Sequence, residues 1–289
     1  MDASEILKKV RKIEIKTKGL SKHIFSGEYH SAFKGRGMSF SEVREYHYGD
    51  DVRNIDWNVT ARTGDPHIKV FEEDRELTVM LLIDISKSSV FGSIKQFKSE
   101  LTAELSAVIA FSAITNNDKV GAILFTDTVE KYIPPKKGKK HILRIIREII
   151  YYEPKSKGTK LEEALIYLNN IQKKKAIAFI LSDFMTQGYE PALSVASRRH
   201  DIIGMHIYDQ LEKELPNIGI INSIDSETGA RVILDTSSSK VRSNYNKWYS
   251  DNYDYYDTTF NRYRSDHLSI STADDYVKLL LQFFKRRSK

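Results

Sequence analysis

The run Leu77-Thr78-Val79-Met80-Leu81-Leu82-Ile83 is apolar at nearly every position and ends on an aspartate, Asp84. A strand with one wet face alternates, so an unbroken run of this kind predicts a strand covered on both sides. Residues 176–181 repeat the pattern, and 120–125 and 202–208 come close to it. Helical spacing fills the intervals at 97–114, 141–151, 161–171 and 191–199. Strands alternating with helices predict an α/β fold, a mostly parallel sheet with helices on both faces. One departure is expected, because Thr126-Asp127-Thr128 can turn the chain back into an antiparallel strand at 129–133 that stops at Pro134-Pro135.

The pattern changes after residue 208. Segments 218–224 and 230–234 flank Ser226-Glu227-Thr228-Gly229 as a hairpin, and 237–264 reads as a long, exposed, tyrosine-rich helix. A strand at 267–270 follows, and then a final helix over 273–284 capped by Ser271 or Thr272. The first seventy-odd residues open with a helix at 5–16 and continue as Gly- and aromatic-rich sequence with few clean periods. The expected organisation is an N-terminal segment, 1–76, and an α/β domain, 77–289, with a late insertion at about 216–265.

Composition narrows the function classes. A 40% hydrophobic content supplies a full core and excludes wholesale disorder, and the absence of cysteine excludes disulfides and thiolate chemistry. No apolar run approaches the ~18–20 residues that cross a bilayer. Residues 1–22 have no signal-peptide apolar region, so the expected place is the cytoplasm. The charge of +6 is spread among alternating acids and bases. The basic clusters at 136–140 and 285–289 carry no interleaved aromatics, and they read as a solvated loop and a frayed end rather than a nucleic-acid surface.

Asp84, Ser86 and Ser88 fall at the carboxyl end of the first buried strand, where open parallel sheets bind ligands. Thr159 stands just before the helix at 161–171, and Asp183 just after the strand at 176–181. All five are hard oxygen ligands, suited to Mg²⁺ or Mn²⁺ and poor for zinc or copper. Taken alone, Asp84-Ile85-Ser86-Lys87-Ser88 serves equally as a cap or a Ser/Thr turn. Hydrolase elbows, zincin helices and phosphate loops are missing from the sequence, and the eight histidines show no ligand spacing and read as structural.

The five-residue pattern and the order of elements from Leu77 onward resemble the metal-ion-dependent adhesion site of von Willebrand factor A-like domains. Gly49-Asp50-Asp51-Val52-Arg53-Asn54-Ile55-Asp56-Trp57, followed by Thr60-Ala61-Arg62, is similar to the signature of domain-of-unknown-function family 58. Asp209-Gln210-Leu211-Glu212-Lys213-Glu214-Leu215-Pro216 is similar to that family as well. The resemblance implies a non-enzymatic interaction module. Its Mg²⁺ would be completed by a partner's acidic side chain, and it would work beside a MoxR-type AAA+ ATPase. For Asp50, Asp51, Arg53, Asp56 and Arg62 the expected role is a salt-bridge network pinning the N-terminal segment to the sheet, with Trp57 as a buried anchor, and the alternative is direct contact with a partner. The competing reading is a metal-dependent phosphohydrolase with Asp84 as nucleophile. Such phosphatases of the haloacid dehalogenase type carry a second aspartate two residues on as general acid, where this chain has Ser86.

Overall fold

The computed structural model describes residues 39–72, 77–90, 97–156, 158–224 and 230–287. They fall into two compact units, one within residues 33–77 and one that takes in the chain from Thr78 onward. The helix expected at 5–16 and the turn at 226–229 lie outside the described residues.

In the smaller unit, β1 (Ser39–Glu45) pairs antiparallel with β2 (His67–Glu72), and α1 (Trp57–Thr63) lies between them in sequence. The connection is shaped by carboxylates. Asp51 caps a single 3-10 turn at Val52–Asn54, and Asp56 caps α1 by accepting from the amides of Asn58 and Val59. Gly64, at φ +87, ends α1 in the left-handed conformation that glycine adopts without strain.

The larger unit is built on a six-stranded sheet. The central strand β3 (Thr78–Asp84) pairs parallel with β4 (Lys119–Phe125) on one side and β6 (Ile177–Ser182) on the other. Beyond β6 lie β7 (Asp201–Tyr208) and β10 (Asp266–Ser271), also parallel. The edge strand β5 (Val129–Lys136) runs antiparallel to β4. It does not stop at Pro134-Pro135. The prolines fall where the register shifts between Val120 and Ala122, and His141 Nε2 donates to the Val120 carbonyl at 2.9 Å where proline has no N–H to offer.

Helices cover both faces, as the unbroken apolar strands require. On one face lie α2 (Lys98–Thr115) and α3 (Lys139–Tyr151), with α8 (Tyr276–Arg287) against β10. On the other face α4 (Leu161–Ile171), α5 (Glu190–Arg199) and α7 (Ser239–Arg262) enclose Met80, Leu82, Ile123, Phe125 and Ile180. A short α6 (Gln210–Lys213) follows β7, and β8 (Ile220–Ile224) pairs antiparallel with β9 (Arg231–Asp235) before α7.

Three expectations need correction here. The tyrosine-rich α7 is not simply an exposed helix, since it buries Tyr249, Tyr256 and Phe260. Phe260 packs so closely that a Cβ on Gly204 would stand 2.6 Å from it. The final helix is capped by Asp275, which accepts from the amides of Val277 and Lys278, rather than by Ser271 or Thr272. The basic tail is helical as far as Arg287, which ion-pairs with Asp201 and Asp266. Among the described residues no helix is long and apolar enough to cross a membrane.

Candidate functional site

After β3 the chain moves to β4 on one side, and later strands are added on the other side through β6. The point where direction reverses opens a crevice between the carboxyl ends of β3 and β6. Asp84 and Asp183 stand there, 4% and 8% exposed.

Hydrogen bonds draw most of the expected residues together. Asp84 Oδ1 accepts the Ser86 amide at 2.9 Å, and Asp84 Oδ2 accepts Ser182 Oγ at 2.7 Å. The Ser86 and Ser88 hydroxyls are 2.9 Å apart, and Ser88 is near enough to help hold the Asp183 carboxyl down. Asp183 is aimed by a tight turn in which Oδ1 accepts the Met185 amide at 3.3 Å and Phe184 sits at φ +51. A positive φ is unfavourable for an aromatic residue and persists where packing enforces it. Here the Phe184 ring lies 4.3 Å from that of Tyr256 and 5.4 Å from that of Phe260.

Thr159 joins through its main chain. Its carbonyl accepts Thr186 Oγ1 at 3.2 Å, and the next amide, Lys160, donates to Thr126 at the end of β4. The Thr159 loop is thereby fastened to the loop that carries Asp183. Among the described residues the Thr159 hydroxyl itself bonds to none of the other four.

Three groups that the sequence did not single out complete the cluster. Lys98, the first residue of α2, places Nζ 3.1 Å from Asp183 Oδ2 and 2.6 Å from Glu212 Oε1. Glu212 lies in α6, inside the segment that resembles the family signature. Ser182 supplies the second bond to Asp84. A lysine opening a helix looks like any solvated first turn, and only the apolar surroundings of α2 hinted otherwise.

The electrostatics follow from burial. Burial and then the nearby Asp183 charge push the Asp84 carboxyl above the usual carboxylate range. Burial would do the same to Asp183, but the Lys98 ammonium, with help from Ser88 and the Met185 amide, holds it below that range. Burial acts to lower the Lys98 ammonium, and Asp183 and Glu212 together raise it, so it stays charged. With Asp84 ionised, three carboxylates face one ammonium. That deficit suits a hard divalent cation, and so does a donor set of carboxylate and hydroxyl oxygens without sulfur or imidazole. Among the described residues no group of three or more His, Asp or Glu side chains is arranged to hold a metal, so a cation here depends on the hydroxyls of Ser86, Ser88 and Thr159.

The family-signature residues of the smaller unit do something else. Arg44 grips Asp50 with two bonds of 2.8 Å and draws its carboxyl down to about 2, aided by the His47 amide. Gly49 turns the chain there at φ +106. Asp51 and Asp56 are caps, and Arg53 stands 3.7 Å from Asp51. Among the described residues these partners all lie within the same unit, so the network shapes its own loop. Trp57 is 70% exposed and corrects the expectation of a buried anchor, and Arg62 is exposed as well.

The doubly wound sheet, its antiparallel edge strand and the polar cluster at the switch point are those of an α/β domain with a ligand crevice at its strand ends. The model of the family described as protein of unknown function DUF58 matches residues 42–254, and the chain belongs to that family. An uncharacterized protein of Mycobacterium tuberculosis, Rv1480, is 29% identical over 79% of this chain and 73% of its own length. An uncharacterized protein of Mycobacterium avium, MAV169, is 22% identical over 54% of this chain and 94% of its own. Among solved structures, the conserved hypothetical protein BatB of Bacteroides thetaiotaomicron aligns over 73% of this chain and 98% of its own at 13% identity and TM-score 0.47. A von Willebrand factor type A protein of Catenulispora acidiphila aligns over 77% and 43% at 10% identity and TM-score 0.38.

Proposed function

We propose that this protein is a non-enzymatic interaction module. Its crevice would hold a divalent cation, Mg²⁺ or Mn²⁺, through Asp84, Ser86, Ser88, Thr159 and Asp183. Bound there, the ion supplies an electrophilic position that a carboxylate from a partner can fill. The observation that carries this reading is the pair of nearly buried carboxylates across the switch point, one of them short of positive charge. The chain's own residues do the rest. Ser182 and the Ser86 amide fix the Asp84 carboxylate, and the Phe184 turn fixes Asp183.

The phosphohydrolase reading fits less well. Both oxygens of Asp84 are engaged in the bonds that position it, and the residue two places on is a serine in a hydroxyl pair rather than an acid. By family resemblance the partner is a MoxR-type AAA+ ATPase, with this chain as its adaptor in remodelling other proteins. The test is capture of a purified MoxR-type ATPase on the immobilised chain. Retention with Mg²⁺, release by a chelator and loss in Asp84→Ala/Asp183→Ala support the reading. Retention that ignores both the chelator and the double substitution contradicts it.

A further inference from the structure

Lys98 is out of place in its helix. Most of α2 is buried, yet the helix opens with a lysine whose side chain is only 3% exposed. A buried ammonium persists where fixed anions meet it. Both of its carboxylates are fixed. Asp183 accepts the Met185 amide at 3.3 Å, in the turn that Phe184 holds at φ +51. Glu212 accepts the Asp209 amide at 3.1 Å as half of a capping box. Asp209 is fully buried and accepts Thr272 Oγ1 at 2.6 Å, which braces α6 against the segment that follows β10. Lys98 is therefore shared between a carboxylate of the candidate cation seat and one that stands outside it.

A lysine shared in this way opposes a divalent ion twice over. It occupies one oxygen of Asp183 and brings a like charge close to the seat. We propose that Lys98 is a tethered counter-ion, a resident cation that weakens the seat, and that Glu212 sets how far Lys98 yields Asp183 to a divalent ion. The inference rests on the divalent-seat reading above. It assigns a role to the signature segment 209–216, which no step of that reading uses.

The experiment is a Mn²⁺ titration of the whole chain, with free Mn²⁺ followed by electron paramagnetic resonance, in wild type, Lys98→Met and Glu212→Gln. Lys98→Met is expected to bind at least about tenfold more tightly, because a nearby like charge is gone. Glu212→Gln is expected to bind several-fold more weakly, because Lys98 then leans wholly on Asp183. A merely structural brace would weaken binding in both variants. If wild type binds Mn²⁺ and Lys98→Met binds it no more tightly, the counter-ion role is overturned while the seat stands. If neither wild type nor the variants bind, the seat reading falls and the counter-ion falls with it. Should Lys98→Met fail to fold, Lys98→Gln, which removes the charge and keeps a polar end between the two carboxylates, takes its place, and binding no tighter than wild type there overturns the proposal.

Discussion

The carboxylates around Asp50 and those around Asp183 are built on opposite plans. Asp50, Asp51 and Asp56 find their hydrogen-bond partners two to six residues away, and the Arg53–Asp51 pair is 89% and 56% exposed. In the crevice Lys98 reaches Asp183 across 85 residues and Glu212 across 114, and Ser182 reaches Asp84 across 98. In the first case the partners are local and water shares the charge of Asp51 and Arg53, so the contacts shape a loop. In the second case water is excluded and the chain must supply counter-charge itself. A surplus of buried negative charge, rather than acidity as such, is what makes one cluster a candidate site and the other a scaffold.

This contrast can be broken. The largest effect is expected at Asp209, which caps α6 and satisfies the Thr272 hydroxyl. Asp209→Ala should cost about 2–4 kcal/mol in urea unfolding, from a lost cap and an unsatisfied buried hydroxyl. Asp50→Asn should leave the same unfolding curve in place. If the two substitutions behaved alike, burial would not be the deciding variable.

A smaller effect should appear with pH. His206 is enclosed by Tyr208, Tyr249, Tyr253 and Tyr256 and touches Ser269, with Asp183 and Lys98 within electrostatic range. Burial pushes its imidazole down to about 3. In the unfolded chain a histidine takes up its proton near pH ~6.5, so below that value the unfolded state binds a proton that the native state refuses. Stability should fall as pH drops from ~6.5, by up to about 1.4 kcal/mol per pH unit from this residue. His206→Gln should flatten that slope in urea titrations, and an unchanged slope would remove His206 from the account.

The smallest effect is expected at Trp57, where Trp57→Ala should shift stability by no more than about 0.5 kcal/mol. A loss of several kcal/mol would restore it as a packing anchor.

The sheet was legible because β3 and β6 must be covered on both faces, and their apolar runs say so without tertiary information. That Asp84, Ser86 and Ser88 lie together beside Asp183 was legible for a related reason, since neighbouring strand ends in a parallel sheet converge. Lys98 and Glu212 were not, because their meaning depends on contacts spanning 85 and 114 residues. Trp57 was misread because a lone aromatic in a non-periodic segment carries no signal of which way it faces. The prolines of β5 were read as a stop, and an edge strand with a register shift tolerates them. All of α7 was read as solvent-facing because tyrosine counts as polar, whereas its large apolar ring buries well once the hydroxyl finds a partner.

Calorimetric titration of the whole chain with Mg²⁺, set against Asp84→Ala/Asp183→Ala, tests the central claim most directly. The account predicts saturable binding of one ion per wild-type chain and no binding heat in the double variant. Equal binding by the two proteins, or none by a folded wild type, would contradict it.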